Sequence, residues 1–134
     1  MPKEHINPST LFPSLKYGFS QIVTASGTRT VYLAGQTAFN VEEKVIGTTR
    51  SEQMQQCLEN IKIGLEAVNG SLTDVVSLRI YLVNYNPDIE GNQISSVLKE
   101  FFDANNPPAT TWIGVATLAH KDLLIEIEAI AVLD

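Results

Sequence analysis

Residues 123–132 read LLIEIEAIAV, and few structures accommodate such a run. It lacks Gly and Pro and is rich in isoleucine, so it predicts a β-strand. Side chains alternate between the two faces of a strand. One face carries Ile125, Ile127, Ala129 and Ala131, an ordinary core set. The other carries Leu124, Glu126, Glu128 and Ile130. Two carboxylates two residues apart on one face lie about 7 Å from each other. At an effective dielectric near 20 they repel by about 2 kcal/mol, and desolvation would add to that. Each therefore needs a cation, a hydrogen-bond donor or water.

The remaining pattern says what such a strand can pair with. YGFSQIVTA (17–25) and TVYLAGQTA (30–38) are β-like, and the intervening SGTR predicts a hairpin. Residues 1–16 read as an irregular arm, and 39–47 as a loop. Thr49 to Glu52 has the Thr-x-x-Glu form of a capping box. Met54, Leu58, Ile61, Leu65 and Val68 follow as one helical stripe, with Gly70 as its stop. Cys57 borders that stripe and reads as a small core residue. Residues 74–83 predict a strand with Val76, Leu78, Ile80 and Leu82 on one face and Val75, Ser77, Arg79, Tyr81 and Val83 on the other. Residues 86–106 predict a second helix with Pro87 in its first turn, and 109–118 a further strand. The order β-β-α-β-α-β-β implies an α+β two-layer sandwich, a mixed sheet with two helices on one face. Length and the absence of linkers point to one domain, 1–134.

Both helices would cover the face bearing Ile125, Ile127, Val76, Leu78 and Ile80. The opposite face, with Leu124, Ile130, Val75, Tyr81 and Val83, would be a bare apolar patch. Oligomerisation through the sheet resolves this. The alternative is an ordinary solvated sheet with both glutamates in water. Arg79 is the one basic residue in the middle of a predicted strand, so it is the expected partner of Glu128 or Glu126.

Composition narrows the function classes. Nine Lys and Arg against fifteen Asp and Glu give a formal charge of −6, which repels polyanions, and no basic cluster is visible. Nucleic acid is therefore not an expected partner. No apolar run is long enough to span a membrane. The N-terminus lacks the apolar core of a signal peptide, and Cys57 is a lone cysteine. The expectation is a cytoplasmic protein without disulfides. His5 and His120 are far apart, read as surface residues, and no metal motif is present, so no metal is expected.

YLAGQT (32–37), NPPATTWIGVATL (106–118) and IEIEAIAV (125–132) resemble the Rid family, the YjgF-like or reactive intermediate deaminase proteins. The resemblance spans nearly the whole chain. It implies a chorismate-mutase-like fold and a homotrimer with small-metabolite clefts at the subunit interfaces. Active members hydrolyse enamines and imines such as 2-aminoacrylate to 2-keto acids and ammonia, without metal or organic cofactor. The resemblance assigns water activation to Glu126 as the catalytic residue. It places Tyr17, Gly35, Ser95, Thr110 and Trp112 in the substrate-binding cleft. Glu128 reads as structural through its expected partner Arg79.

The sequence departs from the family pattern at one decisive position. Where the family carries a carboxylate-binding arginine after Pro-Ala, this chain has Thr110 after Pro108-Ala109. Ser95 stands where asparagine is usual, and Trp112 where a smaller residue is usual. These features imply a subgroup lacking the arginine. A threonine supplies no charge, and losing a charged partner in a partly dry site costs a few kcal/mol, roughly tenfold to a hundredfold or more in affinity or rate. Two readings stay open. One is a metal-free imine or enamine deaminase acting on a neutral or larger ligand. The other is a non-catalytic trimer that binds or senses a small metabolite. Some relatives are described as ribonucleases or translation inhibitors, a role the −6 charge disfavours.

Overall fold

The two carboxylates of the opening segment lie in a strand that is hydrogen-bonded on both sides. The computed structural model describes residues 3–134. Its elements are β1 (Lys3–Ile6), β2 (Ile22–Ala25), β3 (Arg29–Gln36), α1 (Arg50–Glu66), β4 (Val75–Val83), α2 (Pro87–Phe101), β5 (Ala109–Val115) and β6 (Ile125–Leu133). A four-stranded sheet runs in the order β3-β6-β4-β5. β6 is antiparallel to both neighbours, and β5 is parallel to β4. The sheet is thus mixed, and the structure is the expected α+β arrangement.

Both helices cover one face. Met54, Leu58, Ile61 and Leu65 of α1 and Ile94, Val97 and Leu98 of α2 share a core with Leu78, Ile80, Ile125 and Ile127. Each fully buried aliphatic side chain stabilises the fold by about 1.5–3 kcal/mol. The helix start is as expected. Thr49 accepts from the Glu52 backbone, and the Glu52 carboxylate accepts from the Thr49 N–H at 3.0 Å. The stop differs in detail. Asn69, not Gly70, takes the left-handed conformation, at φ 64°, and the Gly70 N–H bonds the Leu65 carbonyl at 2.8 Å. Pro87 opens α2, capped by the Asn86 side chain.

Two pairings depart from the sequence-based reading. Val75 pairs with Ala131 and Ser77 with Ile130, so Val76 is the extra residue of a β-bulge. The bulge turns Val75 into the core, 2% exposed, where alternation alone put Val76. Val83 is also buried, so the bare face is less apolar at β4 than expected. The second difference is the N-terminus. β2 does not form a hairpin with β3; it pairs antiparallel with β1, inside the segment read as an irregular arm. β3 pairs with β6 instead. The β1–β2 ribbon is fastened to the start of β5. Ser20 bridges Ala109, its N–H bonds the Pro108 carbonyl at 3.1 Å, and its hydroxyl donates to the Pro107 carbonyl. His5 lies half-buried with Nδ1 2.9 Å from the Pro107 carbonyl. It is therefore a fastening rather than a surface residue. His120 is exposed, as expected.

One buried charge joins the layers. Arg50, the first residue of α1, is 6% exposed. Its Nε lies 3.1 Å from Glu90 Oε1 of α2, and its terminal nitrogens donate to the carbonyls of Val83 and Leu124. The guanidinium also stands over the Tyr85 ring at 5.6 Å. Glu90 is held below the usual carboxylate range, first by the Asn86 backbone N–H and next by Arg50. A lowered folded value stabilises above the ordinary one, and that contribution is lost as pH falls through it. Replacing Arg50 with Met removes a donor from the Glu90 carboxylate and from the Val83 and Leu124 carbonyls; Glu90 keeps the Asn86 N–H and Leu124 keeps the Val83 N–H. Urea unfolding at pH 7 is expected to show a loss of about 2–4 kcal/mol. The gap to the unmodified chain should narrow below about pH 4, as Glu90 protonates. An unchanged urea midpoint at pH 7 would show that the clamp is dispensable.

Candidate functional site

The residues assigned to the site divide between the two faces of the sheet. In β5, Thr110 is in register with Leu78 and Trp112 with Ile80. Residues in register share a face, so both point toward the helix-covered side. Glu126 is in register with Tyr81 and Glu128 with Arg79, on the uncovered side. The strand alternation read from LLIEIEAIAV is therefore correct, and Thr110 and Glu126 lie on opposite faces within one chain.

On the helix side, Tyr17, Ser95, Thr110 and Trp112 surround the β5 edge. Tyr17 closes a 3-10 turn over Ser14–Tyr17. Gly18 follows at φ 93°, and a Cβ there would lie 3.1 Å from Leu98 Cβ and 3.3 Å from the Ser95 carbonyl. Only glycine suits both the left-handed backbone and that close approach. Tyr17 is thereby held beside α2. The Ser95 hydroxyl bonds back to the Gly91 carbonyl at 3.3 Å. The Thr110 hydroxyl donates to the Pro108 carbonyl at 3.2 Å, so its proton is already committed. Trp112 packs against Phe19, with centroids 6.3 Å apart. Its buried indole nitrogen has no hydrogen-bond partner among the described residues, a deficit worth about 1–3 kcal/mol.

Tyr17 and Trp112 line a cleft of about 530 Å³ with Tyr85, Pro87, Asp88, Ile89, Gly91 and Asn92. Sequence reasoning missed Tyr85, Asp88 and Asn92. A signal existed, because Asp88, Asn92 and Ser95 recur at helical spacing and share one side of α2.

On the uncovered side the two glutamates differ. Glu128 is partnered, since it accepts from the Tyr81 hydroxyl and lies 3.8 Å from Arg79 Nη1. That bond, first of all causes, raises the Tyr81 phenol above its ordinary value. Glu128 is thus structural, and Arg79 is its partner as expected. Glu126 is half-buried and has no hydrogen bond or ion pair to any described side chain. Its side chain lies over Gly35. A Cβ at position 35 would stand 2.8 Å from Glu126 Cδ and 2.9 Å from Cγ and would collide with the carboxylate oxygen. Gly35 sits where the β3–β6 register shifts between Leu33 and Gln36. Bulge and glycine together make the space that the carboxylate fills. Among the described residues, no three His, Cys, Asp or Glu side chains gather as a metal site requires. No helix is long and apolar enough to cross a membrane.

Residues 12–133 match the family described as Endoribonuclease L-PSP, which covers both halves of this site. The chain belongs to this family, the Rid or YjgF-like proteins. It is 37% identical to a 2-iminobutanoate/2-iminopropanoate deaminase of Dermatophagoides farinae, over an alignment that covers 100% of both chains. It also resembles the crystal structure of YyfB from Yersinia pestis, a Rid protein described as of unknown function. There the TM-score is 0.94 and the identity 40%, over 99% of this chain and 100% of that one. RidA from the Antarctic bacterium Psychrobacter sp. PAMC 21119 gives a TM-score of 0.69 at 32% identity, covering 84% of this chain and 86% of that one.

Cys57 lies beneath the Glu126 strand on the core side. Burial, and secondly the nearby Glu126 charge, push its thiol up to about 12. The thiol is inert packing, as expected. At pH 8 the folded chain should react with iodoacetamide more than roughly a thousandfold slower than the urea-unfolded chain. Comparable rates, followed by mass spectrometry of the alkylated protein, would show that the thiol is accessible and ionised.

Proposed function

We propose that this Rid-family chain assembles as a homotrimer and hydrolyses the C=N bond of a small imine or enamine-derived metabolite in clefts between copies. The observation that carries the reading is the Glu126 carboxylate, half-buried over Gly35 with no partner of its own. A carboxylate so placed is free to hold a water. It takes a proton as the water oxygen attacks the imine carbon. Returning that proton to nitrogen completes a carbinolamine. A second transfer, from the carbinolamine hydroxyl through the carboxylate to nitrogen, lets the C–N bond break with its electron pair on nitrogen, which leaves as ammonia or an amine while the C–O bond becomes a carbonyl. The step consumes one water and needs no redox partner.

The two-faced distribution of the site supports assembly. Tyr17, Ser95, Thr110 and Trp112 flank β5, one edge of the sheet, whereas Gly35 lies in β3, the other edge. In a closed ring of copies the β3 side of one chain faces the β5 side of the next. Such a cleft joins Glu126 of one copy to Trp112 of another. Tyr32, 76% exposed, with Ile113 and Ile130, supplies apolar surface for that contact. The names of relatives, including the Dermatophagoides deaminase, support the reaction class.

The committed Thr110 hydroxyl favours a substrate without a carboxylate and supports the reading of a subgroup lacking the arginine. The same observation favours the second reading, a trimer that binds a metabolite without turning it over. Neither reading uses a metal, an organic cofactor or nucleic acid.

Light scattering is expected to give three times the 14.7 kDa chain mass, and a stable monomer would remove the shared cleft. Turnover separates the two readings. 2-Iminopropionate is generated by an amino-acid oxidase and the remainder trapped with semicarbazide. Thr110→Arg is expected to raise the weak native rate by about tenfold to a hundredfold. Adding Glu126→Gln should remove that gain, as should Gly35→Ala, which displaces the carboxylate. A gain that survives Glu126→Gln would end the catalytic assignment of Glu126. No turnover by any variant, in an intact trimer, would leave the binding role.

A further inference from the structure

The cleft beside β5 differs in chemistry from a carboxylate site. Its wall is three aromatic rings, Tyr17, Tyr85 and Trp112, with Pro87 and Ile89 at the rim. Its one charged lining residue is Asp88, which with Asn92 faces the rings from α2. No lysine or arginine lines it. Three cations around it are engaged. Arg50 stands over Tyr85 but is bound to Glu90 and two carbonyls. Lys16 rests over the Tyr17 ring at 5.1 Å, and Lys99 donates to the Lys16 carbonyl at 2.7 Å. If the ring of copies closes as proposed above, the partner adds Glu126, a second carboxylate. Aromatic faces attract cations, and carboxylates add to the attraction.

We infer that this cleft selects a ring-bearing ammonium or iminium ligand, held between Tyr17, Tyr85 and Trp112 with its positive nitrogen toward Asp88. This rests on the reading of the cleft as the substrate site and deepens it by naming the substrate class. An imine that is protonated before water attacks is such a cation. A planar ring fits the wall. Thr110 lies two residues before Trp112 on the same face of β5, and an arginine there would bring a cation beside that wall.

Trp112 is the only tryptophan, so its emission reports occupancy directly, without turnover. Benzylamine, benzamide and benzoate share a ring and differ in charge. Titrated at pH 7 into the assembled full-length protein, benzylamine is expected to quench the emission saturably, benzamide more weakly. Benzoate should bind at least about tenfold more weakly than benzylamine. Asp88→Asn should bring benzylamine down to the level of benzamide. Benzoate binding as tightly as benzylamine would overturn the inference, and its loss in Lys16→Met would name Lys16 as the anion site instead. Equal response to benzamide and benzylamine would assign selection to the ring alone and overturn the cation part. No saturable quenching by any probe would overturn all of it. The readout is binding and its deciding variant is Asp88→Asn, so it is separable from the turnover test. Turnover lost to Glu126→Gln leaves the Asp88-dependent preference for benzylamine over benzoate to be read on its own, and a lost preference leaves the turnover test unaffected.

Discussion

The buried guanidinium of Arg50 is the interaction on which the arrangement of layers depends. The start of α1 brings the guanidinium to a point where α2 and the ends of two strands bring three acceptors. Glu90 brings a carboxylate, Val83 and Leu124 bring carbonyls. A planar fork of donors meets all of them at once, which a lysine could not. Desolvating such a charge is expensive, and the expense is offset because each guanidinium nitrogen has a partner. The consequence reaches the site. Tyr85 stacks on the guanidinium and lines the cleft, and Glu90 lies one residue before Gly91 and two after Asp88 in the first turns of α2. The clamp therefore fixes the distance between the α2 wall and the β5 wall. A cleft between a helix start and a sheet edge would otherwise be set by end turns, which fray.

The sheet explains why the candidate residues lie on two faces within one chain. Alternation along a strand sends successive side chains to opposite faces, and in-register neighbours share a face. Thr110 and Trp112 are in register with core residues; Glu126 is in register with Tyr81. No loop movement within a chain brings the two sets together, because a strand would have to slip by one residue and bury its glutamates. One set lies on the edge strand β5, the other on β6 beside the opposite edge strand β3. Glu128 shows what an internally satisfied carboxylate looks like on this face. It has Tyr81 and Arg79, whereas Glu126, two residues away, has only the room left by Gly35.

How far this was legible in the sequence depends on the range of the interaction involved. The capping box at Thr49, the stripe from Met54 to Leu65 and the alternation of Ile125 to Ala131 are local patterns, and each appears where it was read. The pairing of Glu128 with Arg79 was legible because a strand interior offers few cations. The bulge at Val76 was not legible, since one inserted residue leaves the composition of the strand unchanged and reverses its faces only in part. The missing β2–β3 hairpin has the same origin. SGTR permits a turn, but the choice of partner is made by Ser20 and His5 binding the Pro107 carbonyl, 87 and 102 positions away in the chain. Arg50 carries no local signal of its role, because its acceptors Val83, Glu90 and Leu124 are distant in the sequence.

Thr110 and Trp112 lie two residues apart on the same face of an edge strand. Trp112 lines the cleft with Tyr17 and Tyr85, and Thr110 stands outside that lining. The Thr110 hydroxyl is already bonded to the Pro108 carbonyl, and the indole rests on Phe19. The wall is thus broad and electron-rich, with Asp88 as the one charged residue lining it. Glu126 over Gly35 stands on the other face of the sheet. The two groups of residues belong to different strands and different faces, so a substitution in the wall beside β5 leaves the setting of the Glu126 carboxylate undisturbed.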